Sequence, residues 1–206
     1  MLKGLQLKNI FLLFSLLVLL FNGCSKKEES ENRLIIDNKK IEPKDIPPKE
    51  EENKTLSFSF IDIKNRELNV TTIDSRVITP QIRQPLVLFN LFSSYCKPCM
   101  GQMPYLNELQ RIYQNDLFVV GVLIPTKEDK KSVARELKES LIEYYISYSK
   151  DNSLFINYIS RALELPQKFA IPLSILYKNG KLYRYYEGAI PMEMLEIEIK
   201  NARKLL

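Results

Sequence analysis

Histidine is absent from all 206 residues of the chain. That absence removes imidazole acid/base catalysis, His-ligated metal centres and haem attachment through a Cys-x-x-Cys-His motif. Cysteine is scarce, with three residues, Cys24, Cys96 and Cys99. A zinc site usually needs four ligands, and one Cys-x-x-Cys pair with neither a second pair nor a histidine does not complete it. Copper would want histidine or suitably placed methionines; Met100 and Met103 stand nearby, but at the spacing of helix-packing residues. The chain also lacks a glycine-rich phosphate loop and any internal repeat. Its formal charge of +5 is mild, falls by two if Lys3 and Lys8 leave with a leader peptide, and argues for no nucleic-acid partner.

What is present supports one good core with tails outside it, since 45% of the residues are hydrophobic. The N-terminus, "MLKGLQLKNIFLLFSLLVLLFNGC", runs from two lysines through an apolar stretch, Ile10 to Phe21, to Asn22 and Gly23. A positive start, a short apolar middle and a small residue before the cut read as a secretory signal over residues 1–23. The run falls short of the roughly 20 residues that cross a bilayer as a helix, and an uncleaved anchor is the alternative. "LLFNGC" resembles a bacterial lipobox, which implies lipidation at Cys24. Ser25 after it is compatible with outer-membrane as well as inner-membrane sorting. Residues 24–54 are dominated by Lys, Glu, Asp, Asn and Pro; so little apolar surface cannot offset chain entropy, and a disordered charged tether is expected. If flexible, it would span about 30 Å.

From Thr55 the pattern is that of an α/β domain, residues 55–206. "LSFSFIDI" and "RELNVTTI" alternate apolar and polar residues around "KNR", which predicts a β-hairpin. "PLVLFNLF" is a continuous apolar run of strand length, as expected for a buried central strand. Directly after it, "CKPCMGQMPYLNELQRIYQN" has helical spacing, so a helix begins near the first cysteine. "DLFVVGVLI" predicts a second buried strand and a β-α-β crossover. A charged helix ("KEDKKSVARELKES"), a strand ("EYYISYS") and a helix ("NSLFINYISRALEL") follow. "IPLSILYKNGKLYRYYEG" predicts two strands joined at Asn179-Gly180, and an amphipathic helix ends the chain.

Cys96 and Cys99 could form an inert crosslink or a redox pair. An exported protein meets oxidising conditions in which structural disulfides persist, yet a loop this short gains least from closure. A helix start supplies a better reason. Unpaired N–H groups and the positive end of the helix dipole favour a thiolate, and in such settings cysteine pKa values fall from about 8.5 toward roughly 3.5–7.5. Lys97 adds a positive charge. Cys96 is therefore the expected nucleophile and Cys99, a turn later and on the same side, the resolving thiol. Pro98 restrains the loop between them.

These residues resemble a family. "FNLFSSYCKPCMGQMPYLNEL" is similar to the active-site segment of thioredoxin-fold proteins, and specifically of the TlpA-like (ResA-like) exported thiol-disulfide oxidoreductases, over residues 55–206. Asn90 in the strand before the cysteines, Pro104 in the helix, and "FAIPLSIL" fit that pattern. The resemblance implies a central mixed β-sheet flanked by helices, an N-terminal β-hairpin, a TlpA-type α-β insertion, and a cis-proline loop in which Pro172, preceded by Ile171, lies against the cysteines. Two positions depart from it. Tyr95 stands where the family has Trp, as a ring that can shield the thiolate and contact a partner. Gln102 stands where ResA-like members carry a Glu that tunes cysteine acidity, and a neutral amide does not do so.

The resemblance further implies dithiol-disulfide exchange with protein thiols and disulfides, with no cofactor beyond the Cys96–Cys99 pair. A membrane electron donor of the DsbD/CcdA type would re-reduce the pair. Lys97-Pro98 and Ile171 point toward a reductant, one of whose family substrates is apocytochrome c. An oxidative or isomerising role is the alternative in direction, and a non-enzymatic thioredoxin-like binding module the alternative in class. Nothing resembles the peroxiredoxin "PxxxTxxC" arrangement. The expected location is the bacterial cell envelope, facing the periplasm, lipid-anchored to the inner or outer membrane.

Overall fold

The computed structural model describes residues 55–125 and 130–204. The leader, Cys24 and the tether expected from the sequence lie outside the described residues. Among the described residues no helix is long and apolar enough to cross a membrane.

Two sheets organise the chain. The first is antiparallel, in the order β1 (Leu56–Ile61), β2 (Glu67–Ile73), β3 (Arg76–Ile78). The second has β4 (Leu86–Phe92), β5 (Leu117–Leu123), β6 (Tyr145–Ser147), β7 (Leu173–Lys178) and β8 (Lys181–Glu187) in the spatial order β6-β5-β4-β7-β8. Its β6-β5-β4 part is parallel and its β4-β7-β8 part antiparallel, so the sheet is mixed. The helices are α1 (Lys97–Ile112), α2 (Lys130–Glu139), α3 (Asn152–Ala162) and α4 (Met192–Lys204).

The central strand shows why an unbroken apolar run was needed. All seven residues of β4 are buried, and alternate side chains enter two different cores. On one face Leu86, Leu88 and Phe92 join Leu106 and Leu109 of α1, Val133 and Leu137 of α2, and Leu195 and Ile199 of α4. On the other, Val87, Phe89 and Leu91 meet Phe58, Phe60, Leu68 and Val70 of the small sheet and Phe155 and Ile159 of α3. Phe155 stacks edge-on against Phe58 and Phe60, so the small sheet and α3 together cover that face.

The expected N-terminal hairpin is a three-stranded sheet. The third strand follows a tight turn in which Asp74 and Ser75 both have positive φ, 47° and 61°, a pair outside the Asn-Gly and Asp-Gly dipeptides that mark such turns. A distant contact completes it: Val77 N donates to Gly180 O at 2.8 Å. The β7–β8 turn itself falls at Asn179-Gly180, with φ of 49° and 76°, as that dipeptide predicted. The strand expected from "EYYISYS" is shorter, three residues, and its outer edge is covered by the end of β1. Tyr148 N donates to Ile61 O at 2.8 Å, and Ile63 N to Ile146 O at 3.3 Å. Asp62, fully buried at that junction, accepts from Lys64 N, Arg66 N and Arg66 Nε at 2.8, 2.7 and 2.6 Å. A sheet edge is thereby closed rather than left to pair with another chain.

Asn152, buried at the start of α3, ties the ends of β5 and β6 to that helix. Its Nδ2 donates to Leu123 O at 2.8 Å and Ser147 O at 3.0 Å, and its Oδ1 bonds the Ser147 hydroxyl. Removing the amide leaves two carbonyls and a hydroxyl buried without it. Asn152→Ala is expected to lose about 1–3 kcal/mol of stability, read as a lower urea midpoint at unchanged slope.

Candidate active site

Helix α1 starts after a four-residue link from β4, Ser93 to Cys96, and its start is built by the cysteines. Cys96 is the N-cap residue, in extended conformation, and its Sγ accepts the N–H of Cys99 at 3.1 Å. N-cap side chains ordinarily satisfy the third-position N–H with an oxygen; here a sulfur does so. Pro98 sits in the first turn, where its missing N–H would have had no intrahelical partner. Lys97, exposed, opens a first turn that contains no acidic side chain. Everything charged or polarised in that turn is therefore positive toward the sulfur.

Cys96 and Cys99 are bonded, S–S 2.04 Å, and differ in access. Cys99 is completely buried, packed with Met103 and Phe92 in the core beneath α1. Cys96 is half-buried, at the edge of that core with Met100 and Ile171. The Ile171–Pro172 peptide bond is cis, and Ile171 O lies 3.8 Å from Cys96 Sγ. In the disulfide that sulfur carries no proton, so the approach is a contact; in the dithiol the Cys96 S–H could donate across it. Pro172 is held from its far side by Gly188 N, which donates to Pro172 O at 2.8 Å. Tyr95, next to the disulfide, is 68% exposed, so its ring faces outward toward any partner.

Behind the buried sulfur lies a neutral polar island. Asn90 of β4 and Ser174 of β7 are directly opposite each other, and Gln102 of α1 reaches the same place. Asn90 Nδ2 and Gln102 Nε2 each donate to Ser174 Oγ at 3.2 Å. All three side chains are buried, and Asn90 Oδ1 and Gln102 Oε1 have no bonding partner among the described residues. A buried oxygen without a hydrogen-bond partner costs about 1–3 kcal/mol. The sequence pattern singles out Asn90 and Gln102 but not Ser174, whose only sign is one hydroxyl inside the apolar "PLSIL" run.

All the residues expected at the site thus meet at the C-terminal end of β4, except Cys24, which lies outside the described residues. No family model matches the chain. Among curated proteins, it is 27% identical over 115 residues to the thiol-disulfide oxidoreductase ResA of Bacillus thuringiensis, covering 56% of this chain and 62% of that protein. The chain therefore spans less than two thirds of that relative's length. ResA of Geobacillus thermodenitrificans is 25% identical over 146 residues, covering 71% and 74%. The Bacillus subtilis thiol-disulfide oxidoreductase YkuV is 28% identical over 115 residues, covering 55% and 74%. Among solved structures, StoA of Bacillus subtilis superposes with a TM-score of 0.53 at 16% identity, over 71% of this chain and 98% of that one. A secreted disulfide oxidoreductase of Mycobacterium tuberculosis gives 0.51 at 12% identity, over 70% and 95%. At those identities the structures speak for the fold alone, and that fold is thioredoxin-like.

Proposed function

We propose that this ResA/TlpA-like thioredoxin-fold protein is an exported thiol-disulfide oxidoreductase that reduces protein disulfides while held to a bacterial membrane by a lipid on Cys24. The observation that carries the chemistry is the Cys99 N–H donated to Cys96 Sγ at the N-cap of α1. A thiolate at that atom gains the N–H, the helix dipole and Lys97, whereas a protonated thiol gains much less.

The exchange runs in two displacements. The Cys96 thiolate attacks one sulfur of a substrate disulfide, and the other substrate sulfur leaves as a thiolate that takes a proton. Cys99 then loses its proton and attacks Cys96 Sγ, which releases the second substrate thiolate and forms the Cys96–Cys99 disulfide. Two electrons pass from the dithiol to the substrate. A membrane electron donor of the DsbD/CcdA type returns them. Ile171 and Pro172 present main chain beside the reacting sulfur, where an extended substrate segment could lie as an added strand. Apocytochrome c, whose cysteines must be reduced for haem attachment, is a fitting substrate. The likeness to proteins named thiol-disulfide oxidoreductase supports disulfide exchange, and Lys97-Pro98 and Ile171 beside the pair support the reductive direction. The signal-like residues 1–23 and the lipobox-like "LLFNGC" support attachment to the periplasmic face of the inner or outer membrane.

The test is a reduction potential measured against glutathione, paired with insulin-disulfide reduction. A potential near the thioredoxin value of about −270 mV, with insulin reduction that needs both cysteines, is the expected result. A value near −120 mV reverses the direction. Insulin reduction independent of Cys96 and Cys99, or none at all, would make the domain a binding module instead.

A further inference from the structure

The loop that meets the reacting sulfur is anchored on two sides. Glu187, the last residue of β8, stands opposite Leu173, the first residue of β7 and the neighbour of Pro172. Immediately after it, Gly188 N donates to Pro172 O at 2.8 Å, which secures the loop on its C-terminal side through backbone alone. On the N-terminal side the anchor is a side chain: Ala170 N donates to Glu187 Oε2 at 3.3 Å. Ile171 lies between the two anchors, with its carbonyl oxygen 3.8 Å from Cys96 Sγ.

We infer that Glu187 is a positioning residue for disulfide exchange: by accepting the Ala170 N–H it holds the Phe169–Ala170 peptide, and through Ala170 it keeps the Ile171 main chain facing Cys96. This rests on the reading of the domain as a thiol-disulfide oxidoreductase. The need for such a tie follows from the loop's own composition. Phe169 and Ile171 are half-buried against the two cores, but Pro166, Gln167, Lys168 and Ala170 are exposed, so packing leaves the Ala170 backbone between them to be held by a hydrogen bond. The Gly188 bond fixes the Pro172 carbonyl, but not how far the residues before Pro172 sit from the helix that carries the sulfur. The Glu187 carboxylate supplies that distance, because it projects from a strand already paired in the central sheet. Displacement of a substrate-positioning group by about 1 Å can cost up to roughly 100-fold in rate.

Two variants separate the hydrogen bond from the charge and from folding. Glu187→Gln keeps an acceptor oxygen and loses the charge; Glu187→Ala loses both. In Glu187→Ala, hydrogen exchange at the Ala170 amide is expected to accelerate by about tenfold or more, while exchange in β4 and β5 stays as in the parent protein. For a disulfide-linked peptide substrate, kcat/KM falls by roughly tenfold, carried mostly by KM, since the Cys96–Cys99 pair itself is intact. Glu187→Gln retains Ala170 protection and stays within about twofold of the parent kcat/KM. Unchanged Ala170 exchange in Glu187→Ala overturns the inference, as does a Glu187→Gln variant that loses as much as Glu187→Ala. A parent protein inactive on disulfides would sink the functional reading, and the exchange measurement would still decide whether Glu187 holds the loop.

Discussion

Cys96→Ser is expected to reduce disulfide exchange to background, and Cys99→Ser to leave the protein covalently joined to disulfide-bearing partners through Cys96. Both outcomes follow from the difference in access between the two sulfurs. Cys96 is half-buried at the rim of the core and accepts an N–H from the helix start, so under the proposed exchange it is the sulfur that would meet a substrate disulfide as a stabilised thiolate. Cys99 is completely buried and can reach only the sulfur of Cys96. Without Cys99 the mixed disulfide has no internal thiol to break it, and it persists until an external thiol arrives. Without Cys96 no attack begins. Non-reducing electrophoresis with mass spectrometry of the adducts reads both variants, and an insulin assay reads the loss. If Cys96→Ser collected adducts while Cys99→Ser did not, the two roles would be exchanged.

The parts of this site that were legible in the sequence are those made by adjacent residues. "PLVLFNLF" running into "CKPC" carried the strand, the helix start and the order of the two cysteines, because a buried strand and an N-cap each have a local pattern. Asn179-Gly180 likewise specified its own turn. What stayed hidden depends on partners far away in the chain. Asp62 reads as one more polar residue after a strand, and only the closed edge of β6 explains its burial. The strand Arg76–Ile78 is too short to have a period, and it is held by Gly180, a residue about a hundred positions later. Ser174 and Glu187 matter through Gln102, Asn90 and Ala170, contacts that no spacing rule encodes. Side chains that position a site from neighbouring strands become visible only when the sheet order is known.

The same buried contacts give Gln102 the second large expected effect. Gln102→Glu should raise the thiolate pKa of the reduced cysteines, by roughly one pH unit or more, because a carboxylate one turn from Cys99 opposes a second negative charge. The carboxyl and the thiols would then titrate as a coupled set, with apparent values that belong to the group. Burial works on the new carboxyl too. Gln102 is 5% exposed, so a Glu there resists ionisation, and its folded pKa lies above the unfolded value of about 4.3. Between those two values the folded oxidised protein holds a proton that the unfolded chain has lost. Stability therefore stays near that of the parent protein below about pH 4, then falls as pH rises, by about 1.4 kcal/mol for each pH unit separating the folded from the unfolded pKa, and levels off above the folded pKa. The neutral acid can still donate to Ser174 Oγ in place of the Gln102 amide, which is why the loss is confined to the ionised form. Thiolate absorbance of the reduced variant and urea unfolding of the oxidised variant at pH 4 and pH 8 measure the two effects separately. An unmoved thiolate titration would mean that the island behind Cys99 does not govern its acidity; a pH-independent loss of stability would mean that the side chain has turned out of the core.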